Sequence, residues 1–549
     1  MELQREQWKS KLGIILAVAG SAVGLGNFLR FPGLVAQHGG AFMIPYFISL
    51  LLLGLPLMWI EWTFGRYGGG FGHSTAPGVF HSIRQKNRFI KYFGVIGILG
   101  PLLVFVFYTY IESWLLGYSF ISLFDGFKDV SGDQMGTFLG GYSGQADTNY
   151  FPHGLSVAYT VFALTFLINI SVVWKGLTAG IEKLCQWAMP LLFLLAIILV
   201  VRIFTLQPPA GHPERTVTAA LNTMWNPDLA KLKDTSIWLD AAGQVFFSLS
   251  VGFGVILTYA SYLKKDDDVA LSGLTAASAN TFAEVILGAS IVIPAAFMFL
   301  GPEVTTNYVN TESSIQLGML AMPQALAQMP LHNVFGFVWF FLLFLAGVTS
   351  SISLAQPAIA FLEDEFNLTR QKAVAIFAAV TFGLCNMVIL WQAVAIEEFN
   401  FWAATLIIII FGLVEAILAG WVFGIDKIWN ELHSGSDIRI PRVYRFIIKY
   451  ITPTLILAIL VTWLYQKGMA HILLNPDLTS DKKTLGDIAN VLKDPARKTQ
   501  VIIIRLVILG CAVVLCGLVG WAWRGRDEKN YPELDEETPE TQSNEEVSS

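Results

Sequence analysis

The 549-residue chain is 54% hydrophobic and 14% charged, with a mean hydropathy of +0.58. This composition excludes an ordinary water-soluble globular protein, which exposes more charge, and points to an all-α polytopic membrane protein. The net charge of −6 carries little weight, because orientation in a bilayer follows how Lys and Arg are shared between loops.

Residues 1–11 form a short N-terminal segment carrying Arg5, Lys9 and Lys11. The apolar run behind it continues through Gly26 and Arg30 without a small-residue cleavage site, so it reads as a retained span and not a leader. A helix needs roughly 20 residues to cross about 30 Å of hydrocarbon. Twelve segments qualify: 12–37, 41–64, 89–123, 154–173, 178–204, 237–262, 270–300, 333–365, 371–391, 397–424, 442–466 and 499–523. The 65–91 loop holds Arg66, Arg84, Lys86, Arg88 and Lys91, whereas the 124–153 loop sets Asp125, Asp129, Asp133 and Asp147 against Lys128. The basic loop belongs inside. An even span count then places both termini in the cytoplasm, in keeping with Arg524, Arg526 and Lys529 after the last span.

Two long outer loops, 205–235 and 301–332, contain apolar stretches; residues 315–326 could form a helix over the outer face, either as a lid or as plain loop packing. The acidic, aromatic-poor segment 525–549 is expected to be disordered. Cys185, Cys385, Cys511 and Cys516 all fall in apolar segments without metal-site spacing. They read as core residues.

Span 1 carries an anomaly. Residues 20–32, Gly-Ser-Ala-Val-Gly-Leu-Gly-Asn-Phe-Leu-Arg-Phe-Pro, place three glycines, an asparagine and an arginine in apolar surroundings, where glycine weakens a helix and Arg or Asn is costly unless satisfied. A break over 22–26 is predicted. Span 6 repeats the pattern at 244–254, with two serines and two glycines in mid-span. Five spans separate the two breaks, and a five-span unit repeated after an odd number of crossings is inverted: spans 1–5 (12–204) and spans 6–10 (237–424) form a 5+5 repeat, followed by spans 11–12 (442–523). Paired interrupted spans point to a midplane binding site. The small residues Gly20 and Gly24 alone would equally fit close helix packing.

Span 8 supplies hydroxyls at Thr349 and Ser350, which either face a ligand or bond back to their own helix. Span 7 holds Asn280 and Glu284, four apart and so on one face. Glu284 is a functional acid or a hydrogen-bonded structural one.

These stretches, with Ile111-Glu-Ser-Trp114, 246–254, 346–357 and 361–365, resemble the neurotransmitter:sodium symporters, in particular their bacterial, leucine-transporter-like branch. The resemblance spans nearly all of residues 1–525 and implies a twelve-span transporter in the inner membrane of a prokaryote, with two sodium ions and a small amino acid as cargo. It implies a first sodium site from the Ala22 carbonyl, Asn27, Ser248 and Asn280, and a second from the carbonyls of Gly20, Val23 and Ala346 with the Thr349 and Ser350 hydroxyls. The implied substrate pocket comprises Ser21, Ala22, Leu25, Gly26, Val104, Tyr108, Phe247, Ser248, Ser250, Phe253, Ser350 and Leu354. Tyr108 and Phe247 resemble an aromatic lid; Arg5 and Asp364, with Trp8, Ser261 and Tyr262, resemble a cytoplasmic lock. Glu284 stands where chloride-dependent relatives have serine, implying chloride independence and raising proton counter-transport.

Four departures stand out. Gly24 replaces the aspartate of monoamine carriers, so an amino acid is the expected cargo. Ser21 stands for asparagine and Ser248 for threonine, leaving the preferred amino acid open. Asn400 stands where the family has an acid facing Arg30, with Glu397 or Glu398 as alternative partners.

No HExxH, no G-x-S-x-G elbow and no paired intramembrane aspartates occur, which argues against an intramembrane enzyme. A proton-driven permease and a binding-only regulatory relative remain as rivals. Nothing points to nucleic acid, and a homodimer is left open.

Overall fold

The computed structural model describes residues 6–84, 87, 89–127, 130, 134–145, 151, 154–301 and 317–524, and these are helices joined by turns. Arg5, the tail 525–549 and the start of the 315–326 stretch lie outside the described residues. The helices used below are α1 (Lys11–Ala22), α2 (Phe31–His38), α3 (Met43–Ser49), α4 (Leu55–Gly69), α5 (Ile96–Leu123), α6 (Gly154–Trp174), α7 (Lys183–Phe204), α8 (Thr235–Ser248), α9 (Val255–Ala260), α10 (Val269–Thr281), α11 (Ala289–Leu300), α12 (Met322–Ala327), α13 (His332–Phe366), α14 (Arg370–Phe401), α15 (Ile408–Ile417), α16 (Thr452–Trp463) and α17 (Pro495–Ala522).

Among the described residues, nine helical stretches are long and apolar enough to cross a membrane. Two of them, Gly26–Gly69 and Arg370–Leu432, run to 44 and 63 residues, each long enough for two crossings at 1.5 Å per residue. Both turn within their length, the first at Gly39 (φ +69°) and the second at Gln392 (φ +33°).

Two helices at the centre are interrupted. After α1, which packs on α7, α10 and α13, Val23 leaves helical geometry (φ −76°, ψ 85°). The chain resumes as a widened turn over Gly26–Arg30 that leads into α2. Between α8 and α9 the backbone takes left-handed values at Ser250 (φ +54°), Gly252 (φ +77°) and Gly254 (φ +71°), the region glycine enters without steric cost. Ser250 is held there as its hydroxyl donates to the Ser21 carbonyl at 2.9 Å, so one break braces the other.

The second break is pinned from outside. Gly252 N–H donates to Glu61 Oε1 of α4 at 2.6 Å, and a Cβ at Gly252 would sit 2.5 Å from the Ile408 carbonyl oxygen. Gly252→Ala is therefore expected to cost about 2 kcal/mol, from the left-handed φ and the clash. A thermal midpoint in detergent several degrees below wild type is the readout.

α13 packs along α5 through the middle of the bundle. α12 packs on α11 and α13 with Met322, Ala325 and Leu326 buried. Just before it, Gly318 lies so close to Leu29 that a Cβ would meet Leu29 Cδ2 at 1.9 Å. The described part of the 315–326 stretch thus lies against the part of the first span beyond its break. Cys185 and Cys385 are buried as expected, but Cys511 and Cys516 are only half-buried. The reason is that α17 packs on its neighbours along one narrow face, leaving Leu509, Val513 and Val514 exposed.

Candidate functional site

The two breaks face each other across α5 and α13 and enclose one cavity. Its lining is Ser21, Ala22, Gly24, Leu25 and Gly26 from the first break, Phe247, Ser248, Ser250 and Phe253 from the second, Val104 and Tyr108 from α5, and Ser350, Ser353 and Leu354 from α13. All twelve residues proposed from sequence for the pocket are in this set. Gly24 and Ser353 are additions.

Several backbone groups freed at the first break find side-chain partners, as burial in apolar surroundings favours. Gly24 N–H donates to Asn27 Oδ1 at 2.9 Å and Leu25 N–H to Tyr108 Oη at 3.2 Å. The Ser21 carbonyl accepts from Ser250 at 2.9 Å and from Ser350 at 3.2 Å. Ser21 Oγ lies 2.7 Å from Ser353 Oγ, whose hydroxyl also reaches the Ser350 carbonyl at 2.6 Å. A Cβ at Gly24 would lie 2.7 Å from Ser350 Oγ and 3.0 Å from Tyr108 Oη, so position 24 has no room for an acid. Gly24→Ala is expected to displace these two hydroxyls, a destabilisation of roughly 1 kcal/mol, read as a lower thermal midpoint in detergent.

Beside the cavity, neutral oxygens converge. Asn27 Nδ2 lies 2.7 Å from the Asn280 carboxamide. One arm of that carboxamide is 2.9 Å from the Ala22 carbonyl oxygen and 3.1 Å from that of Ser248. With nitrogen on this arm the contacts are hydrogen bonds; with oxygen on it, three oxygens share one point. Hard monovalent cations favour such an oxygen set.

The second proposed cation group is split. Ser350 Oγ reaches across to the Gly20 carbonyl at 3.3 Å, while Thr349 Oγ1 bonds back to Leu345 and Ala346 carbonyls of its own helix at 3.1 and 3.2 Å. Gly20 permits the approach, since a Cβ there would meet Thr349 Cβ at 3.2 Å. Val23 is fully buried at the break with its N–H on the Ala19 carbonyl at 2.6 Å.

Glu284 is fully buried in the widened turn Phe282–Gly288 between α10 and α11. It accepts from Tyr46 Oη at 2.7 Å, from Ser248 Oγ at 3.2 Å and from Gln244 Nε2. Gln244 also reaches the Gly26 carbonyl at 3.3 Å. The Ser248 hydroxyl therefore sits between the acid and the oxygen cluster, 3.3 Å from the other arm of the Asn280 carboxamide.

The gate residues are less uniform. On the N-terminal side Trp8 is buried, donates to the Tyr259 carbonyl at 2.9 Å and meets the Tyr259 ring edge-on at 5.4 Å. Tyr262 Oη accepts from Gln356 at 3.1 Å, Ser261 Oγ donates to Thr258 at 2.7 Å, and Asp364 accepts from Ser74 N–H at 2.8 Å. Glu182 adds a tie not foreseen, taking Ser10 Oγ and Lys9 N–H at 3.1 Å each. At the other end Arg30 donates to the Gly243 carbonyl at 3.0 Å and lies over the Phe247 ring at 5.6 Å.

The expectation that Glu397 or Glu398 partners Arg30 is corrected. Glu398 accepts from Arg505 at 2.9 and 3.1 Å, lies 2.8 Å from His471 and takes the Trp402 indole at 3.0 Å. Glu397 and Asn400 are exposed, and no hydrogen bond or ion pair joins either to Arg30 among the described residues. Positions 398 and 400 are about 200° apart around a helix, so they serve opposite faces. Sequence reasoning also passed over Glu61, Ser353, Tyr46, Gln244 and Asp240. A buried acid within a span, as at 61, was the available signal.

Comparison with known proteins identifies the chain's relatives. The family model described as Sodium:neurotransmitter symporter family matches residues 5–128 and 154–472. An uncharacterised sodium-dependent transporter of Methanocaldococcus jannaschii is 30% identical over 465 residues, covering 83% of this chain and 90% of that protein. One from Haemophilus influenzae is 27% identical, covering 84% and 99%. Among solved structures, MhsT in complex with L-phenylalanine superposes with a TM-score of 0.70 at 26% identity, covering 84% of this chain and all of that one.

Proposed function

The chain belongs to the sodium:neurotransmitter symporter family, and from that premise we propose that it imports a small neutral, apolar amino acid together with two sodium ions by alternating access. The observation that carries this reading is the convergence of Ala22, Asn27, Ser248 and Asn280 beside a cavity floored by two helix breaks.

Each component has a role in the proposal. The amide groups and Tyr108 Oη at the first break receive the substrate carboxylate, whose charge completes the first sodium shell; solute and ion then bind cooperatively. The second sodium takes the carbonyls of Gly20, Val23 and Ala346 with Thr349 and Ser350, which requires the Thr349 hydroxyl to turn from its own helix. Val104, Phe253 and Leu354 meet the side chain. MhsT holds L-phenylalanine, and an apolar wall of this kind would suit a similar group here. Gly24 leaves the amine without a fixed acid, as a zwitterion needs. Glu284 supplies the negative charge near the sodium cluster that would make chloride unnecessary, and it is the group through which a proton would be exported on the return.

The proposed frame is twelve spans, counting two crossings in each of the two long stretches and one in the broken α8–α9 pair. Residues 12–204 and 237–424 form the inverted 5+5 repeat and 442–523 the last two spans, with both termini cytoplasmic in the cell membrane of a prokaryote. Trp8, Tyr262 and Asp364 close the inner side, and Tyr108, Phe247 and Arg30 the outer. Each sodium crossing a 100 mV potential contributes about 2.3 kcal/mol. Two supply roughly 4.6 kcal/mol, enough for an accumulation on the order of 10³-fold.

Equilibrium binding of tritiated L-phenylalanine to the purified protein tests the site. Binding in sodium chloride that is competed by unlabelled aliphatic and aromatic amino acids, but not by monoamines, is expected. Competition by dopamine with none by amino acids would overturn the assignment of cargo.

A further inference from the structure

Residues 346–351 of α13 present two faces. One turns to the first break: Ser350 Oγ reaches the Gly20 carbonyl at 3.3 Å, and a Cβ at Gly20 would meet Thr349 Cβ at 3.2 Å. Gly347 and Ser351, four apart, share the opposite face, about 200° round the helix from Thr349. Behind that face lies a buried polar chain. Glu112 of α5 and Ser351 are fully buried, and Asn169 of α6 is 1% exposed. Asn169 Nδ2 donates to both Glu112 oxygens at 3.2 Å each, and Asn169 Oδ1 accepts from Ser351 Oγ at 2.7 Å. Both ends of the Asn169 amide are thus engaged, which fixes its orientation. Gly347 lets the acid approach, since a Cβ there would sit 2.8 Å from Glu112 Cγ. The three helices pack on one another, and this chain is a polar tie among them. An acid at bilayer depth is costly unless satisfied and used, and neither the pocket lining nor the Glu284 cluster uses Glu112.

We infer that Glu112, acting through Asn169 and Ser351, sets the rotation of α13 at which Ala346, Thr349 and Ser350 offer their oxygens to the second sodium ion. Glu112 is a positioning residue that works by hydrogen bonding from the far side of the helix. Thr349 Oγ1 bonds back to its own helix at 3.1 and 3.2 Å, so sodium binding needs that hydroxyl to turn while the helix stays in place. The Glu112–Asn169–Ser351 chain holds the opposite face, and the turn of one side chain does not become a roll of the helix. Cation affinity follows how rigidly the ligand oxygens are held. The inference rests on the two-sodium reading made under the proposed function.

The test is sodium-22 binding to the purified full-length protein in detergent with no amino acid present. Under that condition the first site lacks the carboxylate that completes its shell, so binding reports the second. Glu112→Ala is expected to raise the half-saturating sodium concentration about tenfold, as loss of a group that orients a metal ligand does. Glu112→Gln, which keeps an oxygen acceptor for Asn169, should retain the wild-type affinity. Ser351→Ala cuts the same chain at its other end and should give the same rise, and adding Glu112→Ala to it should change nothing further. Wild-type sodium affinity in Glu112→Ala and Ser351→Ala overturns the inference. So does Glu112→Gln binding as weakly as Glu112→Ala, which would place the role on charge and not on the hydrogen-bonded chain. If Glu112→Ala is not monodisperse, Ser351→Ala carries the test, with the same rise expected and wild-type affinity contradicting it. Wild-type protein that binds no sodium-22 without amino acid would instead overturn the two-sodium reading, and this inference with it.

Discussion

Asn27→Ala is expected to reduce sodium-dependent amino-acid uptake by at least about 100-fold while leaving the protein folded in the membrane. The side chain does two jobs at one point. Its Oδ1 accepts from Gly24 N–H at 2.9 Å and its Nδ2 lies against the Asn280 carboxamide at 2.7 Å, so it shapes the break and orients the neighbouring oxygen donor together. Removing it leaves the Gly24 amide and one arm of Asn280 buried without partners, at about 1–3 kcal/mol each. It also removes one of four oxygens from the proposed first sodium site. A combined loss of roughly 3 kcal/mol corresponds to about two orders of magnitude in affinity. Sodium titrations of uptake should show the half-saturating sodium concentration moving upward, not only the maximal rate falling. Loss of rate with an unchanged sodium dependence would mean that Asn27 only stabilises the break.

Glu284→Ser should convert a chloride-indifferent protein into a chloride-stimulated one. The substitution deletes a carboxylate and leaves Tyr46 Oη, Gln244 Nε2 and Ser248 Oγ, the three donors that now hold it, around a space of anion size. In sodium gluconate, uptake is expected to drop about tenfold, the equivalent of one lost charge-assisted interaction of roughly 1.4 kcal/mol. Chloride should then restore most of it. Wild type should give equal rates in the two salts. Indifference of Glu284→Ser to chloride would remove Glu284 from the charge balance and reduce it to a structural acid.

How much of this could be read in advance differs from residue to residue. The interruption of the first span was visible because Gly24, Gly26, Asn27 and Arg30 each cost free energy in an apolar helix and occur together. The chain leaves helical geometry at Val23, within the 22–26 stretch expected. Serine and glycine clustering marked the second break in the same way. By contrast, Thr349 and Ser350 are indistinguishable by composition. Only their phase, 100° apart on α13, decides that one reaches Gly20 and the other its own helix. Glu61 escaped notice among the aromatic residues of its span, since its partner Gly252 is 191 residues away. Glu398 misled for a simpler reason, namely that closeness along the chain to Asn400 is not closeness across a helix. Asp240, which pairs with His38 at 2.8 Å, sits near the start of its span, where a carboxylate looks like an ordinary boundary residue.

The central claim is coupling of amino-acid movement to sodium at the paired breaks. Uptake by the purified full-length protein in proteoliposomes, with a panel of labelled amino acids and an inward sodium gradient, tests it most directly. The account predicts accumulation of at least one neutral, apolar amino acid that collapses when external sodium is replaced by potassium and is abolished by Asn27→Ala. Uptake that is unchanged in potassium would contradict it.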